Sequence, residues 1–170
     1  MMTYFGALIL AISAFCVGIY KAKDEEKKVK ALREICLALE ILKNEICTSK
    51  TPIGKVLSLN SIKAFKTTAP FFAEMEREFS SLGEKRFADI WSESVRESLS
   101  FLPDKSKNLL MALGGSLGKY DSDLQNLSIE RCISALQAEG EELDKKLKDN
   151  EKMYIGLYGG AGLIVALMLI

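Results

Sequence analysis

Glu40 and Glu45, in the run Leu-Glu-Ile-Leu-Lys-Asn-Glu-Ile, are the closest this chain comes to a carboxylate pair for general acid–base work. Five residues turn a helix by about 140°, so the two carboxylates diverge instead of meeting over one substrate. They fit solvated charge, or contact with a partner protein, better than catalysis. Histidine is absent from all 170 residues. Its absence removes the commonest general base, the Ser-His and Cys-His nucleophile pairs, and most zinc and iron ligand sets. What remains open to an enzyme is carboxylate or lysine chemistry, which would need two acidic side chains converging in a pocket.

The other chemistry-bearing residues read as structure. Cys16, Cys36, Cys47 and Cys132 show no Cys-x-x-Cys spacing, so neither a metal site nor a disulfide framework is implied, and they serve as small apolar side chains. Leu113-Gly114-x-x-Leu117-Gly118-x-x-Asp121 is glycine-rich and precedes a helix. It lacks the Lys-Ser/Thr pair and the buried strand of a phosphate loop, so its glycines predict close helix packing and a chain reversal. Thr51-Pro52 predicts a helix cap followed by proline at the first helical position. Lysine plus arginine and aspartate plus glutamate both number 23, giving zero net charge. A neutral chain has no electrostatic means of concentrating nucleic acid, so no nucleic-acid partner is expected. No cofactor is expected either.

Helices must position these residues, because alternating β-branched runs are missing and the apolar residues recur at helical spacing. The first helix is predicted over 24–49, with Leu32, Ile35, Cys36, Leu39, Leu42 and Ile46 on one face. Leu37 and Ile41 fall on the opposite side, so this helix packs on two sides or offers a partner surface. Short helices follow Thr51-Pro52 and Ala69-Pro70, the second carrying Phe71, Phe72, Met75 and Phe79. Another follows Gly83 with Ile90, Trp91, Val95 and Leu99, and a fifth starts at Pro103-Asp104 with Leu109, Leu110, Leu113 and Leu117. The last starts near Asp121 or Ser122, and nothing between 141 and 153 resembles a turn that would stop it. Six helices over 21–152 can bury a core of their own.

Residues 1–20 and 153–170 contain no charged side chain. As helices they would measure roughly 30 and 27 Å, which matches a bilayer core. No basic residue precedes the first segment, which favours a retained anchor over a cleaved signal peptide. Lys21, Lys23, Lys27, Lys28 and Lys30 follow the first segment, and Lys145, Lys146, Lys148 and Lys152 precede the second. By the positive-inside rule the middle is cytoplasmic and both termini lie outside. The expected fold is therefore all-α: a cytoplasmic bundle of about six helices (21–152) flanked by transmembrane helices at 1–20 and 153–170, in contact with the lipid bilayer.

Several short runs, in this order and spacing, resemble the stage III sporulation protein AB family. They are Leu32-Arg33, Leu39-Glu40, Glu45-Ile46 and Thr51-Pro52-Ile53, then Trp91 with Ser94 and Val95. The LGxxLGxxD run with Gln125 four residues beyond it, and Lys152-Met153-Tyr154 before a glycine-rich apolar terminus, complete the match over nearly the whole chain. The resemblance implies a membrane protein of endospore-forming bacteria, placed in the mother-cell membrane around the forespore. It implies a helical domain like the F-type platform of type II secretion and type IV pilus systems. It also implies work alongside a secretion-ATPase-like partner, stage III sporulation protein AA, and other membrane proteins of a mother cell–forespore channel. The expected role is a non-catalytic platform that couples that ATPase to the membrane assembly, the alternative being an ATPase-independent adaptor or scaffold. Partner contacts are expected on the first helix at Glu40, Glu45, Thr51 and Pro52, and at the 118–125 turn with Asp121 and Gln125.

Overall fold

In a computed structural model of the chain, the backbone is described over residues 2–79, 85–117 and 122–169, and side chains over 20–59, 61–79, 85–117 and 123–150. Among the described residues the elements are α1 (Met2–Lys43), a π-helical turn (Asn44–Thr48), α2 (Ile53–Leu57), α3 (Asn60–Lys63), α4 (Ala69–Glu78), α5 (Phe87–Ser98), α6 (Asp104–Ser116) and α7 (Ser122–Leu169). The all-α class follows. α7 runs without a break, as the lack of a turn signal between 141 and 153 predicts. α3 was not foreseen: one turn is too short to show helical periodicity, although Ile62 on it is fully buried.

The flanking transmembrane helices are a correction. Among the described residues, no helix is long and apolar enough to cross a membrane. The terminal segments are not separate rods but the ends of α1 and α7, each continuous with a charged stretch of the same helix. Lys21, Lys23, Asp24, Glu25 and Glu26 crowd the turns of α1 after Tyr20, and Lys145, Lys146, Lys148 and Asp149 do the same near the described end of α7. Charge at that density is incompatible with a hydrocarbon environment, so neither α1 nor α7 is apolar over its described side chains. The side chains of residues 1–19 and 151–170, which include all of the expected spans 1–20 and 153–170 except Tyr20, lie outside the described residues.

The chain divides into two compact units, Lys28–Glu141 and the pair of segments Met1–Lys27 and Glu142–Ile170. In the larger unit, α1 turns Leu32, Ile35, Leu39 and Leu42 inward, each at most 2% exposed. α4 packs on α5 and α5 on α6, while α2 and α3 lean on α4. Trp91 is the pivot of this group. Its ring meets Phe71 edge-on at 5.2 Å, and its indole Nε1–H donates to the Leu110 carbonyl of α6 at 2.7 Å. Gly114 makes the approach possible, because a Cβ there would overlap the Trp91 ring, with Cγ 2.5 Å away. Close packing, as expected of this glycine-rich run, is therefore what Gly114 does.

α4 is held at its start from outside. The Glu34 carboxylate of α1 accepts four hydrogen bonds, from the N–H and hydroxyl groups of Thr67 and Thr68, at 2.9–3.1 Å. Thr68 is the N-cap of α4 and fully buried, yet its side chain does not cap its own helix. Glu34 satisfies those donors instead and places a negative charge at the helix N-terminus, where the dipole favours it.

Candidate docking groove between α1 and α7

In the larger unit, α1 and α7 run antiparallel. The Cys36 thiol points at the Ile133 carbonyl at 3.9 Å, Lys43 reaches Glu130, and Gly140 lies against Leu32. Between them opens a groove of about 330 Å³. α1 lines it with Glu40, Lys43 and Asn44, and α7 with Glu130, Ser134 and Gln137. Ile133, 7% exposed, makes the floor.

Lys43 Nζ donates to Glu130 Oε1 at 3.2 Å across the groove. With side chains 26% and 49% exposed, that pair contributes little to stability. Glu40 carries no ion pair among the described residues. Its charge leans toward Cys36: burial first, and Glu40 second, push that thiol up to about 11. Cys132 on α7, whose thiol points at the Leu109 carbonyl at 3.8 Å, is pushed up to about 12 by burial and then by Cys36. Thiols held this far from ionisation are poor nucleophiles.

The sequence-selected residues part company here. Glu45 lies in the π-helical turn and is occupied: Thr51 Oγ1 donates to its Oε2 at 2.7 Å, and Thr51 N–H donates to its carbonyl at 2.8 Å. Thr51 therefore caps nothing. Pro52 takes the N-cap place of α2 instead of the first helical position, because the chain reverses through Lys50 at φ 53° before reaching it. Gln125 is buried at 7% exposed, and Asp121 lies outside the described residues. Of the sequence-selected residues that are described, Glu40 alone lines the groove. Glu130, Ser134 and Gln137 escaped sequence reasoning because they look like any solvated helix face, and only the antiparallel pairing with α1 makes them a site.

Three exposed leucines lie near this groove. Leu37, 51% exposed, is one turn before Glu40 on α1, and Leu127, 41% exposed, is one turn before Glu130 on α7. Leu124, 54% exposed, lies a further turn away. A second hollow, of about 570 Å³, lies in the smaller unit beside Lys21, Asp24, Glu25 and Lys146. It mixes both signs of charge, and Lys146 is already bonded to Glu142 at 2.7 Å. No group of three metal-ligating side chains occurs among the described residues.

Comparison with known proteins agrees with the architecture. The family model described as stage III sporulation protein AB matches residues 3–170. A stage III sporulation protein AB of Bacillus subtilis (strain 168) is 23% identical over 171 residues, covering 99% of each chain. The solved structure of a stage III sporulation protein AB (SpoIIIAB) superposes with a TM-score of 0.64 at 19% identity, over 72% of this chain and 97% of that one, and so shares the fold. The chain belongs to the stage III sporulation protein AB family.

Proposed function

We propose that this chain is a non-catalytic helical platform of the sporulation assembly, on which a secretion-type ATPase of the same set, stage III sporulation protein AA, docks. It works at the mother-cell membrane around the forespore, with its helical body toward the cytoplasm. The observation that carries this reading is the open groove between α1 and α7. It holds an acid without an ion pair, Glu40, beside exposed leucines, where a helix pair with no external partner would normally be closed by packing. The absence of histidine and the raised thiols of Cys36 and Cys132 count against a covalent or acid–base reaction here.

Co-purification of the full chain with the AA-type ATPase, with and without nucleotide, tests the reading. A stable complex is expected. If no nucleotide condition yields one while the chain still localises to the forespore boundary, the ATPase-independent scaffold replaces it. A fluorescent fusion spread through the mother-cell interior would overturn the membrane placement.

A further inference from the structure

We propose that the α1/α7 groove takes an amphipathic helix of a partner protein that brings a lysine or arginine to Glu40 and an apolar side chain to Leu127. This rests on the reading of the chain as a docking platform and adds the chemistry of what docks.

The charges select the occupant. Two carboxylates, Glu40 and Glu130, face one ammonium, Lys43, and that ammonium is already bonded to Glu130 Oε1. The remaining lining groups, Asn44, Ser134 and Gln137, are neutral. An excess of carboxylate oxygens repels phosphate, which excludes an anionic lipid headgroup or a nucleic acid. A divalent cation would need more ligands than two acids on separate helices supply, and no third metal-ligating side chain joins them among the described residues. A side-chain cation fits: Glu40 accepts it without first losing another partner.

The apolar rim selects the shape. Leu37 and Glu40 are three apart on α1, and Leu127 and Glu130 are three apart on α7, so each acid has a leucine one turn away on its own helix. Single exposed leucines are ordinary, but the antiparallel walls set Leu37 and Leu127 about 10 Å apart along the groove with Glu40 between them, which a helix with apolar residues at i and i+7 and a basic residue between them would match. Such a helix covers Leu37 and Leu127 and leaves the Lys43–Glu130 bond in place.

The test places a photo-reactive benzoylphenylalanine at position 134 of the full chain, on the α7 wall, and maps cross-linked peptides in sporulating cells by mass spectrometry. The expected product joins position 134 to a helix-forming segment of another protein with Lys or Arg three or four residues from an apolar side chain. Glu40→Lys should cut the yield about tenfold or more and Glu40→Gln by less, since reversing the charge adds repulsion to the lost attraction. Leu127→Ser should lower it as well. Glu40 carries no ion pair among the described residues and Leu127 is 41% exposed, so the thermal melts of these variants should match the parent, which separates lost docking from lost folding. If the cross-linked protein is the AA-type ATPase, both readings stand. A basic amphipathic segment of a different protein keeps this inference and removes the ATPase. A cross-link to a second copy of the chain, to an acidic segment, or one indifferent to Glu40→Lys, overturns the inference, and so does no cross-link at all.

Discussion

The contact of α5 with α6 and the contact of α1 with α7 are both helix–helix interfaces in one compact unit, but they are finished differently. Between α5 and α6 the space is used up. Trp91 fills it, Leu110 takes its indole proton, and Gly114 has no Cβ because there is no room for one. Between α1 and α7 the inner half is equally closed, with Leu32, Leu39 and Leu136 buried, while the outer half stays open and polar. Native interiors close to crystal-like density unless something else has a use for the space. Packing is therefore complete across the first contact, whereas the second leaves its outer half open to solvent.

Breaking the closed contact should produce the largest effects. Trp91→Ala removes the pivot and its hydrogen bond to Leu110, and should cost about 3–5 kcal/mol in denaturant unfolding. Gly114→Ala drives a methyl into the indole and should cost about 1–3 kcal/mol. Gly115→Ala, one residue along, meets nothing within 4 Å and should gain about 0.5–1 kcal/mol from helix propensity alone. Equal effects at the two glycines would refute the crowding argument.

Next in size is the link from α1 to the start of α4. Glu34→Ala leaves the donors of Thr67 and Thr68 without their acceptor and should cost about 1–3 kcal/mol, with Glu34→Gln recovering only part. Hydrogen exchange should then rise first in the opening turn of α4.

These residues differ in how far the sequence exposed them. The inward stripe of α1, the helix starts at Ala69-Pro70 and Pro103-Asp104, the burial of Trp91 and the packing role of the glycine run were all legible, because each is a local pattern with one physical meaning. Glu34 was not, because its partners are 33 and 34 residues away and nothing about an acid within a helix marks it as another helix's cap. The same limit hid Glu130, Ser134 and Gln137, which become one wall only once α7 returns along α1. Residues 1–20 and 153–170 taught the opposite lesson. A run without charges satisfied a length rule, but the elements formed are α1 and α7, whose described portions carry charge through successive turns. Thr51 misled for a local reason: its hydroxyl can serve the next helix or the preceding carboxylate, and with Lys50 in the left-handed region it reaches Glu45.

The buried thiols give a smaller, pH-dependent effect. In the unfolded chain, Cys36 and Cys132 ionise near their ordinary value of 9.0, whereas in the folded chain they resist ionisation until about 11 and 12. Both thiols are neutral in either state below pH 9, so their full contribution to stability is present there. As pH rises past 9 the unfolded chain alone loses protons, and stability falls until the folded thiols ionise as well. Unfolding curves between pH 8 and 11 should show this decline, and Cys36→Ala with Cys132→Ala should flatten it. A decline of unchanged slope in the double variant would assign it elsewhere.

The smallest effect belongs to the open groove. Lys43→Ala, Glu130→Ala and the double variant should each shift stability by less than about 1 kcal/mol, with a coupling energy near zero. The pair is partly solvated, and holding two long side chains together offsets what attraction gains. A coupling of about 2 kcal/mol or more would make the groove a structural seam like the one at Trp91, built to hold the fold. A coupling near zero, together with lost partner cross-linking in Glu40→Lys, would mean that the acids on this face serve docking and not stability, since removing Glu130 costs the folded chain almost nothing.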